Sequence, residues 1–301
     1  MNKISALMTV YNESTFTDAC LRSIEPLIDQ FVIVEGSWKG LRGTYDYKEN
    51  LRSSDGTREI VEKFVKDFPH KATLYNSLED EECCRNLGLG ACDNRWILHL
   101  DSDEFYYLDQ LSKLKERLHE YPNNSILMFK EYSFYFNFNY YTVGKKKRLF
   151  DGWNLQYYSN NGVGDVLKNM SGEPNVELDV PASILHFQWV GNRKKVLDSP
   201  NYERQLHNMK QFKLDPKEHY IGCWDWWVKE VYTQFNGKNL KELEAKCNGS
   251  IHPWSYHHKE HRPRLLEIDD EFVFPGYLYR YPWFDIQEEG LIDFSRYAKK
   301  E

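Results

Sequence analysis

From residue 4 to residue 130 the chain alternates short apolar runs with stretches of helical period, and no other feature narrows its fold as much. Ile4 to Val10 reads as a buried strand, after which Phe16, Cys20, Ile24 and Leu27 recur at helical spacing. Phe31 to Glu35 is a second strand, bounded by Gly36. Ile60, Val61, Phe64, Val65 and Phe68 give an amphipathic helix that stops at Pro69. A strand at Ala72 to Tyr75, a helix at Glu79 to Asn94 and a strand at Trp96 to Leu100 follow. Leu108, Leu111, Leu114 and Leu118 mark another helix, and Ser125 to Lys130 another strand. Such alternation predicts an α/β fold, with a mostly parallel Rossmann-like central sheet covered by helices on both faces. Ligands of such sheets sit beyond the carboxyl ends of the strands.

After residue 130 the pattern changes. Tyr132, Phe134, Phe136, Phe138 and Tyr140 alternate with Ser133, Tyr135, Asn137, Asn139 and Tyr141, which predicts a long, half-buried strand or hairpin. Ser183 to Val190 reads as one more strand. From about Asn201 the chain looks helical and Trp-rich, and it ends in an irregular aromatic tail from Ile251. The expected division is therefore 1–130, 131–200 and 201–301, the first two sharing one sheet. Aromatics reach 16% of residues and crowd the second half, which suits carbohydrate recognition; for most rings singly, packing is the plainer account.

Charge and cysteine usage exclude several classes. Lys+Arg 39 against Asp+Glu 46 gives a net charge of −7, so a dedicated nucleic-acid binder is not expected. The mean hydropathy of −0.71 and apolar runs of strand length argue against a membrane-spanning helix. Cys20, Cys83, Cys84, Cys92, Cys223 and Cys247 show no CxxC and no regular framework, and read as reduced thiols. The first ten residues are not expected to form a signal peptide. A cytoplasmic location is expected.

The sharpest chemical signal is Trp96-Ile-Leu-His-Leu100 followed by Asp101-Ser102-Asp103-Glu104. An apolar strand ending in Asp-x-Asp puts two carboxylates at the carboxyl edge of the sheet, where like charges repel unless a cation or hydrogen-bond donors share them. Hard oxygen ligands suit Mn²⁺ or Mg²⁺, which in turn bridge diphosphates. The bland account is an acidic turn, with Asp103 capping a helix that starts near Tyr107.

Five blocks occur in order: Leu7-Met-Thr-Val-Tyr-Asn-Glu13, Val32-Ile-Val-Glu-Gly-Ser37, Ser54-Asp-Gly-Thr-Arg-Glu-Ile-Val61, Arg85-Asn86-Leu-Gly88 and Trp96 to Glu104. Together they resemble the nucleotide-sugar half of glycosyltransferase family 2, which has a GT-A fold. The resemblance covers roughly residues 3 to 105 and then fades to fragments at Arg148-Leu-Phe150, Gly162 to Leu167 and Ile184-Leu-His186-Phe. It implies a nucleotide-sugar-binding half over 1–130, an acceptor-side half over 131–200, and an aromatic-rich C-terminal region over 201–301. It further implies a metal-dependent inverting transfer from a nucleotide sugar, a UDP-sugar first, to a hydroxyl acceptor such as a glycan. Thr9, Tyr11, Glu13 and Glu35 would line the nucleoside cleft, with Asp55 near the base or ribose, or simply the N-cap of its helix. Arg85 would sit near the diphosphate, Asp101 would touch the ribose or the metal's water, and Asp103 would ligate the Mn²⁺ or Mg²⁺ directly. Glu104 either reinforces the site or faces solvent. Two departures stand out: Glu35-Gly36 replaces the family's paired acids, and Ser37 to Ser54 is long, either a lid or a surface insertion.

His186 is the candidate for a further metal ligand, with a buried structural histidine as the alternative. His252, His257, His258 and His261 match no ligand spacing and read as surface. A general base must take the acceptor's proton. Asp165 is favoured over Asp151 and Glu173, and Asp225 in Cys223-Trp-Asp-Trp-Trp227 is its rival. Lys145 to Arg148 reads as a basic loop that helps to hold a diphosphate or is simply solvated. Two other readings compete: a carbohydrate-binding protein with a degenerate transferase domain, and a sugar-1-phosphate nucleotidyltransferase. The latter needs a Gly-rich phosphate loop after the first strand, where Tyr11-Asn12-Glu13 stands instead.

Overall fold

The computed structural model describes residues 2–36, 52–77, 79, 81–152, 155–158, 166–190, 235, 241–242 and 266–286. The chain divides into two compact units, Met1–Lys130 with Lys145–Ile184, and Glu131–Gly144 with Leu185–Glu301.

In the first unit β1 (Ile4–Val10) lies between β2 (Gln30–Glu35) and β4 (Trp96–Leu100), parallel to both, and β3 (Ala72–Asn76) continues the parallel order beyond β2. β7 (Tyr140–Asp151) then joins β4 in antiparallel register, with Leu98 opposite Leu149. β6 (Ser125–Phe136), its hairpin partner, runs with β4 again, and β10 (Val176–Val190) neighbours β6. The α/β architecture expected from the alternation is thus present. β1 and β4 are buried on both faces, which is why they read as unbroken apolar runs and not as alternation.

The period of two decides which helix covers which face. Phe31 on β2 meets Phe64 of α2 (Thr57–Asp67), edge to face at 5.0 Å between centroids. The neighbouring Val32 and Val34 point the other way, into a cluster with Leu7, Cys84 and Ile97. Cys84 belongs to α3 (Glu81–Gly90), so α2 and α3 cover opposite faces. α1 (Ser14–Ile24) packs on the α2 side, tied by Arg22 to Asp67 at 2.6 Å. It ends at Ile24 and passes into a single 3-10 turn, Glu25–Leu27, where Pro26 sits at an early position that needs no N–H. α3 is shorter than the expected Glu79 to Asn94, because tight turns from Gly88 to Ala91 and from Leu89 to Cys92 close it.

The expected strand at 125–130 and the hairpin at 132–141 are one feature: β6 turns at 137–139 into β7. The expected half burial is corrected, since every residue from Phe134 to Phe138 is buried on both faces. Within the second unit Phe134 meets Phe187 at 5.3 Å, and Phe138 meets Phe284 at 4.7 Å. These rings form that unit's core. β11 (Leu266–Glu267) pairs antiparallel with the Tyr140–Tyr141 end of β7.

Candidate functional site

β4 delivers its chemistry at its carboxyl end. Glu104 N–H donates to the Asp101 carbonyl at 3.2 Å, and this tight turn leads Glu104 into β5 (Glu104–Tyr106). The helix behind it, α4 (Leu108–Arg117), begins after Tyr107, so Asp103 does not cap it. Asp103 is buried, and Glu104 is fully buried and does not face solvent.

Lys145 to Arg148 is corrected from a loop to the middle of β7, and strand alternation splits the four. Lys145 and Lys147 pair outward with Asp179 and Glu177. Lys146 and Arg148 turn to the acidic turn instead. Arg148 Nε donates to the two Glu104 oxygens at 2.9 and 2.7 Å, and its Nη2 reaches both Glu104 and the Asp101 Oδ2. Lys146 Nζ lies 3.3 Å from Asp101 Oδ2 and 2.9 Å from Glu104 Oε1.

On the other side of the carboxylate, His99 Nε2 lies 3.4 Å from Asp101 Oδ1. Its Nδ1 meets the hydroxyl of Tyr157, on β8 (Leu155–Tyr158), at 3.1 Å. The tautomer consistent with both contacts carries its proton on Nε2 and accepts from Tyr157 at Nδ1. Burial pushes the His99 imidazole below its ordinary value, and the Arg85 charge lowers it further. Burial alone would raise the Asp101 carboxyl, but Arg148 and Lys146 outweigh it and hold the group well below the usual carboxylate range. The site therefore presents an ionised Asp101 beside a neutral histidine. His99 escaped the sequence reading, and Arg148 entered it only within the Lys145 to Arg148 run, although both carried a signal. His99 stands two residues before Asp101 on one strand, and Arg148 falls on the same face as Lys146.

The nucleoside-cleft candidates gather at the neighbouring strand ends. Thr9 is half-buried near the end of β1, and Tyr11 is buried just past it. Asn12 takes a left-handed backbone, φ 50°, and its Oδ1 accepts from Ser54 N–H at 2.9 Å. Asp55 serves two helix starts at once. Its Oδ2 accepts from Ser14 N–H at 2.9 Å, and its Oδ1 from Thr57 N–H at 3.0 Å. The N-cap position of α2 is Gly56, φ 95°, so Asp55 caps from one residue earlier. Thr57 Oγ1 in turn accepts from Glu13 N–H at 2.8 Å. Glu35, buried at the end of β2, accepts from Ser53 N–H at 2.7 Å and from Arg58 Nη1 at 2.9 Å. Its carboxylate anchors the return of the chain after residue 51. Arg85 is buried on α3, its guanidinium 5.5 Å from the Tyr157 ring centroid.

Of the remaining candidates, His186 belongs to the second unit, where Nδ1 lies 2.8 Å from Glu131 Oε1. Asp151 is engaged by Arg95 at 2.8 Å. Asp165, Asp225, His252, His257, His258, His261 and residues 37–51 of the long segment lie outside the described residues.

Residues 50–171 match the family described as glycosyl transferase family 2. That segment is glycosyltransferase family 2-like. The match begins at the third of the five blocks and runs past residue 105, through the Arg148 and Gly162 fragments. Similar solved structures include S. aureus TarS 1-349 in complex with UDP-GlcNAc, 13% identical, covering 96% of this chain and 99% of that chain at a TM-score of 0.44. Another is the Pyrobaculum calidifontis mannosyltransferase PcManGT with GDP-Man and Mn²⁺, 14% identical, covering 81% and 73% at a TM-score of 0.45. A further TarS structure is 13% identical at a TM-score of 0.42, with 79% of this chain covered, and this chain spans 45% of that one. No curated protein matches the chain. Among the described residues no helix is long and apolar enough to cross a membrane.

Proposed function

We propose that the family 2-like chain is a metal-dependent, inverting glycosyltransferase that moves a sugar from a nucleotide sugar, a UDP-sugar first, to a hydroxyl of a glycan acceptor. The observation that carries the reading is the ionised Asp101 and buried Asp103 at the carboxyl end of a central strand, inside the matched segment. Carboxylate oxygens are hard donors, and their chemistry fits Mn²⁺ or Mg²⁺. Asp103 is the proposed ligand. A bound ion would neutralise charge building on the departing nucleoside diphosphate.

The chain's own groups do the rest. The Asp101 side chain keeps 31% of its surface exposed and offers a remaining lone pair to the ribose hydroxyls. Thr9, Tyr11 and Glu13 at the end of β1 line the nucleoside cleft. Glu35 and Asp55 support that cleft through the loop and helix starts they hold, and a direct base contact from either would compete with those bonds. The buried guanidinium of Arg85 contributes positive potential toward the diphosphate. Asp165, with Asp225 as the rival, takes the acceptor hydroxyl's proton as that oxygen attacks the anomeric carbon. Cys20, Cys83, Cys84 and Cys92 are thiols, in no disulfide, which supports a cytoplasmic location.

Thermal unfolding with UDP or GDP, with and without Mn²⁺, tests the reading. A ligand that binds only the folded state raises the midpoint by mass action. A rise that needs nucleotide and metal together is the expected result. Stabilisation by oligosaccharide alone, with none by nucleotide, would favour a carbohydrate-binding protein.

A further inference from the structure

Arg148 is almost wholly buried, as is Glu104, and a buried guanidinium is expected only where its donors are filled. Three of its contacts go to Glu104, at 2.9, 2.7 and 2.5 Å, and the same Nη2 also reaches Asp101 Oδ2. Glu104 is itself fixed by Lys146 at 2.9 Å and approached by the Tyr106 hydroxyl at 3.3 Å. The carboxylates of Asp101 and Glu104 thus balance the charges of Lys146 and Arg148 within the protein.

We infer that Arg148 is a positioning residue: anchored on Glu104, its guanidinium fixes the Asp101 carboxylate in the orientation that meets the nucleotide. The planar fork matters as well as the charge. Nε and Nη2 address Glu104 side-on, which aims the free corner of Nη2 at Asp101, and a lysine ammonium has no such geometry. His99, on the opposite oxygen of Asp101, completes the cradle. The arrangement follows from β7 delivering Arg148 one residue beyond the Leu149–Leu98 register pair. The inference rests on the transferase reading, because only there does the orientation of Asp101 bear on turnover.

The alternative is that Arg148 is merely the counter-ion that lets Glu104 be buried. Two variants of the full chain separate the two. Arg148→Lys keeps the charge and loses the fork, while the double variant Glu104→Gln with Arg148→Met removes both buried charges together. Calorimetry of UDP and GDP in the presence of Mn²⁺, and hydrolysis of the matching nucleotide sugars, are measured on whichever variants unfold cooperatively. The expected result is a loss of about 10–100-fold in nucleotide affinity or kcat in both, the range typical when a residue that orients a ligating group is removed. Wild-type affinity and kcat in a folded double variant would overturn the inference. Should the double variant not fold, wild-type values in Arg148→Lys would overturn it equally. If wild-type protein itself neither binds nor hydrolyses any nucleotide sugar, the transferase reading falls and the inference with it, an outcome distinct from failure in the variants alone.

Discussion

At the scale of single residues, what a carboxylate can do depends on which of its lone pairs are already filled. Glu35 and Asp55 hold the chain return and two helix starts, whereas Asp101 is cradled by His99, Lys146 and Arg148 with part of its surface still open. The neutral His99 gives this cradle a pH signature. Its folded value lies below 6.5, so below about pH 6.5 the unfolded chain takes up a proton that the folded protein refuses. That contribution to stability is present above pH 6.5 and is lost as the pH falls toward the folded value. Urea unfolding at pH 7.5 and 5.5 is expected to show a smaller pH dependence in His99→Gln than in wild type, and an unchanged slope would contradict the neutral assignment. For the proton transfer, Asp165→Asn is expected to lower turnover by about 10²–10⁴ with little change in donor affinity. The reverse pattern, with Asp225→Asn inactive and Asp165→Asn active, would move the base to the Trp-rich segment. The sequence shows that Asp101, Asp103, Glu35 and Asp55 follow apolar strands or open helices. It does not show the partners, because Arg148 lies 47 residues from Asp101 and meets it only through strand pairing.

Elements were most legible where burial follows a simple period. β1, β2, β4 and α2 stand where the apolar runs and the Val61–Phe64 face put them. β7 was hidden because Lys145-Lys-Lys-Arg148 has no apolar alternation, although its two faces do alternate, in charge partners and not in hydrophobicity. α3 was overextended because Cys92 and Asn94 keep a helical look after Gly90 has ended it. α3 also sits very close to the sheet. A Cβ at Gly88 would stand 2.2 Å from Leu7 Cδ1 and 3.0 Å from Val34 Cγ2. Gly88→Ala gains about 1 kcal/mol in helix propensity, against roughly 1–3 kcal/mol for overpacking a close-packed core. Equilibrium unfolding is expected to show a net loss of about 1 kcal/mol; a stabilised variant would mean that Leu7 yields freely.

At the scale of the whole molecule, the matched segment at 50–171 and the acidic strand end are what support the proposed chemistry, departure of a nucleoside diphosphate from a sugar. The aromatic wealth that suggested a sugar platform is, for Phe134, Phe136 and Phe138, the second unit's core. Composition cannot separate those two uses, since a ring's chemistry is the same in a core and on a binding face. The central claim concerns Asp103 and the metal. The measurement that tests it most directly is hydrolysis of a panel of nucleotide sugars by wild-type protein and by Asp103→Ala, each with Mn²⁺ and with EDTA, alongside thermal unfolding of both. The account predicts donor-selective hydrolysis in wild type with Mn²⁺, its loss in EDTA, and its loss in a variant that still unfolds cooperatively. Equal hydrolysis with EDTA, or in Asp103→Ala, would contradict it.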